Sequence, residues 1–245
     1  MLILKDVKKN YGSTQALNGV SFSVSPGEIV GLFGENGAGK TTLLKSILGF
    51  ISYEGEILMD GDKISRRNIH KISFATSEHS FFPGLTAKQH EEFYRDHFPA
   101  FRQRRYDGLV DFFGLPENRR LSTFSAGQQN QYEIILALSQ GADLILMDEP
   151  FAGNDLFNRE DFYKVLLGIL EPTESVIIST HLIEEVEGLI SRAILIRKGE
   201  IVGDRTSEML EEEGKDLVSF VKESYGYRED RVAKALSEIT GETQQ

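Results

Sequence analysis

The sequence predicts an α/β fold: a mainly parallel sheet as the core, an N-terminal antiparallel β subdomain and an inserted α-helical subdomain. Three observations carry this expectation. Short apolar runs at Glu28 to Phe33, Leu144 to Met147, Val176 to Ser179 and Ala193 to Ile196 have strand length, and helical stretches such as Asn158 to Leu170 and Ile183 to Leu189 separate the later ones. Alternation of that kind points to parallel strands joined by crossover helices. Leu2 to Val7 and Ala16 to Val24 flank a turn at Asn10 to Thr14, and Ser52 to Ile64 alternates around Gly55 and Asp60-Gly61, which reads as an antiparallel hairpin. From Thr86 to about Ser139 aromatic residues recur at helical spacing, among them Phe93, Tyr94, His97 and Phe98, then Leu109, Phe112 and Phe113.

The remaining elements follow in order. Pro26-Gly27 punctuates before the strand at Glu28, and a glycine-rich loop after Phe33 leads into a helix over Thr41 to Leu48 that Gly49 ends. Lys71 to Ala75 is a further strand. The expected organisation is one domain. Residues 1–85 and 140–205 form the core with its β subdomain, 86–139 the helical subdomain, and 206–245 a charged helical tail whose most acidic run is Glu211 to Glu213.

Composition narrows the function. A hydrophobic fraction of 40% in 245 residues supports a sizeable core. No apolar run approaches the ~20 residues that span a bilayer, and Met1 to Asp6 has a strand pattern rather than a secretory one. There is no cysteine, which removes disulfide frameworks and thiolate chemistry and is compatible with a reducing compartment. A net charge of −11 argues against nucleic acid as a partner, because phosphate backbones need clustered Lys and Arg. The one basic run, Arg102 to Arg105, reads as a solvated helix face.

The chemistry concentrates in two motifs. Gly34-Glu35-Asn36-Gly37-Ala38-Gly39-Lys40-Thr41 fits G-x-x-x-x-G-K-[ST], with an apolar strand before it and a helix after it. Glycines let successive amides curl around phosphate oxygens, and the helix N-terminus adds its dipole. Gly34 to Thr42, including Asn36, Gly37, Ala38 and Gly39, is therefore the expected nucleotide loop. Lys40 would reach the β and γ phosphates and the Thr41 hydroxyl would take a place on Mg²⁺. The second motif, Leu144 to Pro150, is an apolar strand ending in Asp148-Glu149. In P-loop enzymes an aspartate there holds Mg²⁺, and Glu149 is placed to deprotonate an attacking water. Together the motifs predict Mg-ATP hydrolysis.

With these residues in view, the chain resembles the ATP-binding subunits of ABC transporters from Leu2 to about Arg205. Phe124-Ser125-Ala126-Gly127-Gln128-Gln129 looks like the family's signature, with Ala126 where glycine is usual. Ser179-Thr180-His181 matches the switch histidine, Tyr11 the aromatic that stacks on adenine, and Ala152-Gly153-Asn154-Asp155 the loop after the second motif. Taken singly, each has a plainer reading: Tyr11 as packing, His181 as a core residue or cap, Ser125 as a helix N-cap. Their order along the chain is what carries the likeness.

The resemblance implies a head-to-tail dimer, a homodimer before a heterodimer, in which Ser125, Ala126, Gly127 and Gln128 of one subunit meet ATP held by the other. It implies integral membrane permease subunits as partners, an exporter, and a place at the cytoplasmic face of the membrane, with Phe81, Phe82 and Phe93 near the docking surface. The alternative is a soluble ATPase of the same type, such as one serving iron–sulfur cluster assembly. One departure stands out: Ser77 occupies the position of the family's glutamine that contacts Mg²⁺ and the attacking water. This predicts slower or more loosely coupled hydrolysis.

Overall fold

The computed structural model describes residues 1–150, 159–183 and 186–226. Two sheets organise it. The first has the order β2-β1-β4-β5, all antiparallel, from β1 (Leu2–Tyr11), β2 (Thr14–Val24), β4 (Glu54–Met59) and β5 (Asp62–Lys63). The second has the order β10-β9-β3-β8-β7-β6. Its strands β3 (Ile29–Phe33), β6 (Ile72–Thr76), β7 (Leu144–Asp148), β8 (Ser175–Thr180) and β9 (Arg192–Arg197) are parallel, and β10 (Glu200–Thr206) returns antiparallel along the edge.

The first hairpin extends further than the sequence pattern indicates, whereas the second is shorter, its pairing confined to Glu54–Met59 and Asp62–Lys63 within the expected Ser52 to Ile64. Tyr11 pairs with Thr14, so the turn shrinks to Gly12-Ser13 with Gly12 at φ 58. Met59 pairs with Asp62 across Asp60-Gly61, whose φ values of 54 and 87 suit the twist of a two-residue hairpin. Gly55 is required by close approach: a Cβ there would lie 2.3 Å from the Asp6 carbonyl oxygen, where β1 is bulged.

Period-two alternation in the parallel strands divides the apolar residues between two cores. Val30 and Leu32, Leu144 and Leu146, Ile177, and Ile194 and Ile196 face the antiparallel sheet and Leu43, Leu44 and Ile47 of α1 (Lys40–Ile47). Ile29 and Phe33, Ile145 and Met147, Val176 and Ile178, and Ala193 and Leu195 face the opposite core. Helices α2 (Ala87–His97), α3 (Gln103–Phe113), α4 (Ala126–Ser139) and α5 (Arg159–Ile169) cover that side, together with α7 (Leu217–Ser224), which follows the short α6 (Ser207–Glu212). Strands buried on both faces are continuously apolar, which is why they read as short runs rather than as alternation.

Within the helical insertion, Thr86 caps α2 in a capping box with Gln89. The hydroxyls of Tyr106 and Tyr132 both donate to the Ala87 carbonyl at 3.0 Å, joining α3 and α4 to the start of α2. Eight consecutive residues of α4, Tyr132 to Ser139, are buried, so this helix has core on every side.

Three expectations need correction. The segment Ile183 to Leu189 is helical only in part: Ile183 lies in a 3-10 turn of helix, residues 184–185 lie outside the described set, and Val186 to Leu189 form hydrogen-bonded turns in which Gly188 disfavours a regular α-helix. Strand β10 was not anticipated, because its polar sequence carries little apolar signal. The run Arg102 to Arg105 is not simply solvated: Arg102 pairs with Glu171, and Arg105 makes a two-pronged pair with Glu174 at 2.8 and 2.9 Å. The Arg105 and Glu174 side chains are 7% and 1% exposed. Removing Arg105 leaves the buried Glu174 carboxylate with Arg102 at 3.2 Å and the Glu171 amide at 2.8 Å, so Arg105→Ala should lower the unfolding free energy by no more than about 3–5 kcal/mol in urea titration. A loss below about 1 kcal/mol would assign it the weight of a surface pair.

Candidate active site

The site forms at the carboxyl ends of β3, β7 and β8, with β3 placed between β8 and β9. Crevices at such strand ends are where open α/β sheets bind ligands. The chain leaves β3 through Gly34 to Gly39. Gly39 adopts φ 113, and a Cβ there would stand 2.6 Å from the Ala16 carbonyl oxygen; one on Gly34 would stand 2.6 Å from that of Ile196. The loop is thus seated between β2 and β9 in a path that side chains would block. Gly39 caps α1 without a side-chain hydrogen bond, which leaves the first amides of the helix to an anion.

Lys40 is 6% exposed. Its Nζ donates to the Gly34 carbonyl at 2.6 Å and lies 3.3 Å from Glu149 Oε1. The Thr41 hydroxyl donates to Asp148 Oδ2 at 2.7 Å, 107 residues away in sequence, and the Ser179 hydroxyl donates to Asp148 Oδ1. Asp148 is thereby held from both sides at the end of β7. Glu149 turns out of the strand with φ 48 while its amide donates to the Ser179 carbonyl at 2.9 Å. Its other carboxylate oxygen, Oε2, lies 3.0 Å from His181 Nδ1. A non-glycine residue in the left-handed region is uncommon and often marks a functional position.

Thr41 Oγ1 and Asp148 Oδ2 offer a pair of hard oxygen donors, which suits Mg²⁺. Among the described residues no group of three or more His, Cys, Asp or Glu is placed to hold a metal.

Several predicted residues come together here: Gly34, Asn36, Gly37, Ala38, Gly39, Lys40, Thr41 and Thr42 in one loop and helix start, with Asp148, Glu149 and His181 against them. Thr76 pairs in register with Asp148, which sets Ser77 beside the acidic pair, and all of these line one small pocket with Asn130 and Glu133. Tyr11 stands at the end of β1, 50% exposed, with Lys9 Nζ 5.0 Å above its ring. Its strand partner Thr14 is two residues from Ala16, which abuts Gly39, a distance of about 7 Å along the strand.

Ser125 and Gln128 form a capping box at the start of α4, the Ser125 hydroxyl accepting from the Gln128 amide at 3.2 Å. Their described bonds stay within that helix end, with Ala126 and Gly127 in its first turn. The predicted motif Ala152 to Asp155 lies outside the described residues. Phe81 is a core residue at 7% exposure, while Phe82 is 53% exposed and packs edge-on against Phe93.

Sequence reasoning assigned no role to Ser179 or Glu133. Ser179 carries no signal beyond adjacency to His181. Glu133 does: it is the only charged residue between Tyr132 and Leu138. Burial pushes its carboxyl up to about 7, against hydrogen bonds from Ser80 and from the Thr76 backbone that pull the other way.

The sequence profile described as ABC transporter matches residues 17–152. The chain is 31% identical over 222 residues to the lipopolysaccharide export system ATP-binding protein LptB of Haemophilus influenzae, covering 86% of this chain and 92% of that one. It is 30% identical over 250 residues to the Nod factor export ATP-binding protein I of Paraburkholderia xenovorans, covering 97% and 82%. A dimeric ATP-binding cassette solved in a post-hydrolysis state with ADP and Pi superposes with a TM-score of 0.72 at 25% identity, over 84% of this chain and 98% of that one. The phosphate loop, the paired carboxylates at the end of β7 and these likenesses agree: the chain belongs to the ABC transporter family and is one of its ATP-binding ATPase subunits.

Proposed function

We propose that this chain powers an exporter by ATP-driven closure and reopening of a dimer of two copies. The observation that carries the catalytic part is the Glu149 carboxylate held between Lys40 and His181. Lys40 and the amides from Gly37 to Thr42 bind the phosphates, and Thr41 and Asp148 would hold Mg²⁺, which would supply neutralisation of the phosphate charge. Glu149 takes the proton of the attacking water, and His181 orients the Glu149 carboxylate. Tyr11 offers its open ring to adenine.

Ser125, Ala126, Gly127 and Gln128 act in trans on the partner copy's ATP. Their helix end lies at an exposed position, and the dimeric post-hydrolysis cassette supports this arrangement. ATP that bridges two copies favours the closed pair, and its hydrolysis removes that bias. Among the described residues no helix is long and apolar enough to cross a membrane. In this reading the subunit works at the cytoplasmic face with integral membrane permease subunits. An open groove of about 670 Å³ between the core and the helical insertion, lined by Leu48, Phe50, Phe74, Tyr94 and Phe98, is the surface for them. Two of its relatives, the lipopolysaccharide export and Nod factor export ATP-binding proteins, favour export.

Affinity purification from native membranes, with and without detergent, tests the reading. Recovery of a multi-span membrane protein with stimulated ATPase is expected; recovery of soluble scaffold proteins alone would overturn the transport role. Ser77 is too short to reach a metal except through water. Ser77→Gln should therefore raise phosphate release severalfold, and unchanged basal and partner-stimulated rates would remove Ser77 from the site.

A further inference from the structure

Glu133 is a carboxylate 2% exposed within the apolar stretch of α4. Burying a carboxylate is costly, and a well-packed apolar side chain would serve the core better. What the residue holds explains its presence. Both of its oxygens accept the Ser80 amide, at 2.9 and 3.0 Å. Ser80 closes the short loop that opens at Ser77. On the loop's other side, Lys45 Nζ in the last turn of α1 donates to both oxygens of Glu78, at 2.9 and 3.0 Å. Between these ties His79 takes φ 55 and stacks on Phe81 with ring centroids 5.0 Å apart.

The two ties are unequal. The Glu78 side chain is 70% exposed, and a solvent-screened pair of that kind contributes little. The Glu133 tie is buried, so it dominates. It also joins two parts of the machinery: α1 begins at Lys40 and Thr41, α4 begins at Ser125 about two turns before Glu133, and the loop between them lies beside Asp148.

We propose that Glu133 is a positioning residue for ATP turnover: its buried carboxylate holds the Ser77–Ser80 loop against α4, so that Ser77, Asp148 and the helix beginning at Ser125 keep one geometry. The proposal rests on the reading that turnover occurs at Lys40, Asp148 and Glu149. Glu133 lines the same small pocket as Asp148 and Glu149, but its carboxylate is engaged by the Ser80 amide, so its loss should separate turnover from nucleotide binding.

Glu133→Leu fills the same space without an acceptor, and Glu133→Gln retains one acceptor oxygen. Phosphate release from Mg-ATP and equilibrium binding of a non-hydrolysable ATP analogue are measured for each. Glu133→Leu is expected to lose tenfold or more in turnover with analogue affinity within threefold of wild type, and Glu133→Gln to recover to within threefold. Equal losses of turnover and affinity in Glu133→Leu, or no loss, would overturn the proposal. Hydrogen exchange at the Ser80 amide of the wild-type protein tests it without a variant. Protection rising tenfold or more with the analogue is expected, and unchanged protection counts against the proposal. A wild-type protein without Mg-ATP turnover would sink the reading of the site itself; a wild type that turns over beside an unaffected Glu133→Leu sinks only the role of Glu133.

Discussion

Glu149→Gln is expected to cut phosphate release from Mg-ATP by a factor of 10² to 10⁴ while leaving ATP affinity equal to or tighter than wild type. A positioned general base contributes roughly that range. Glutamine keeps the size of the side chain and an oxygen that accepts from His181 Nδ1, where the wild-type distance is 3.0 Å. It also preserves the turn at φ 48, because that geometry is set by the backbone and by the amide bond to Ser179. What it loses is the capacity to take a proton. If water is not activated, bound ATP persists, and with it any closed dimer that ATP favours. Single-turnover phosphate release beside equilibrium nucleotide binding separates the two quantities. A variant that keeps more than a tenth of wild-type turnover would move the base elsewhere.

Lys40→Met should weaken ATP binding by a hundredfold or more, about 3 kcal/mol, measured by calorimetric titration in Mg²⁺. Lys40 is 6% exposed, with Nζ bonded to the Gly34 carbonyl and 3.3 Å from Glu149. Charge-assisted hydrogen bonds to phosphate are worth roughly 1.5–3 kcal/mol each, and a buried ammonium is already stripped of most of its water. Phosphate oxygens would exchange for the Gly34 carbonyl and Glu149 as its partners, so little new desolvation opposes binding. Methionine fills the channel without charge, which isolates the electrostatic contribution from packing. Affinity within threefold of wild type would show that the loop amides and the α1 N-terminus do the binding unaided.

The two variants test different stages at one place. Lys40 is charged to receive the nucleotide, whereas Glu149 acts only after it is bound. Their contact at 3.3 Å implies coupling, so the double variant should not show the sum of the single effects.

By itself the sequence determined the features whose physics is local. The phosphate loop is legible because glycine spacing, backbone curl and helix start all lie within Gly34 to Thr42. Strands buried on both faces announce themselves as apolar runs, and Asp148-Glu149 is visible as acid at a strand end. Tertiary structure alone decided which distant groups meet. Thr41 and Asp148, or Glu149 and His181, come together because the strand order sets the carboxyl ends of β3, β8 and β7 side by side, and no window of sequence encodes that order. The same reason hides the pairing of Arg105 with Glu174 and of Glu133 with the Ser80 amide: a charged residue on a helix looks the same in sequence whether water or a buried partner receives it. Strand β10 escaped notice because its order comes from hydrogen bonds to β9, and edge pairing leaves no apolar signature.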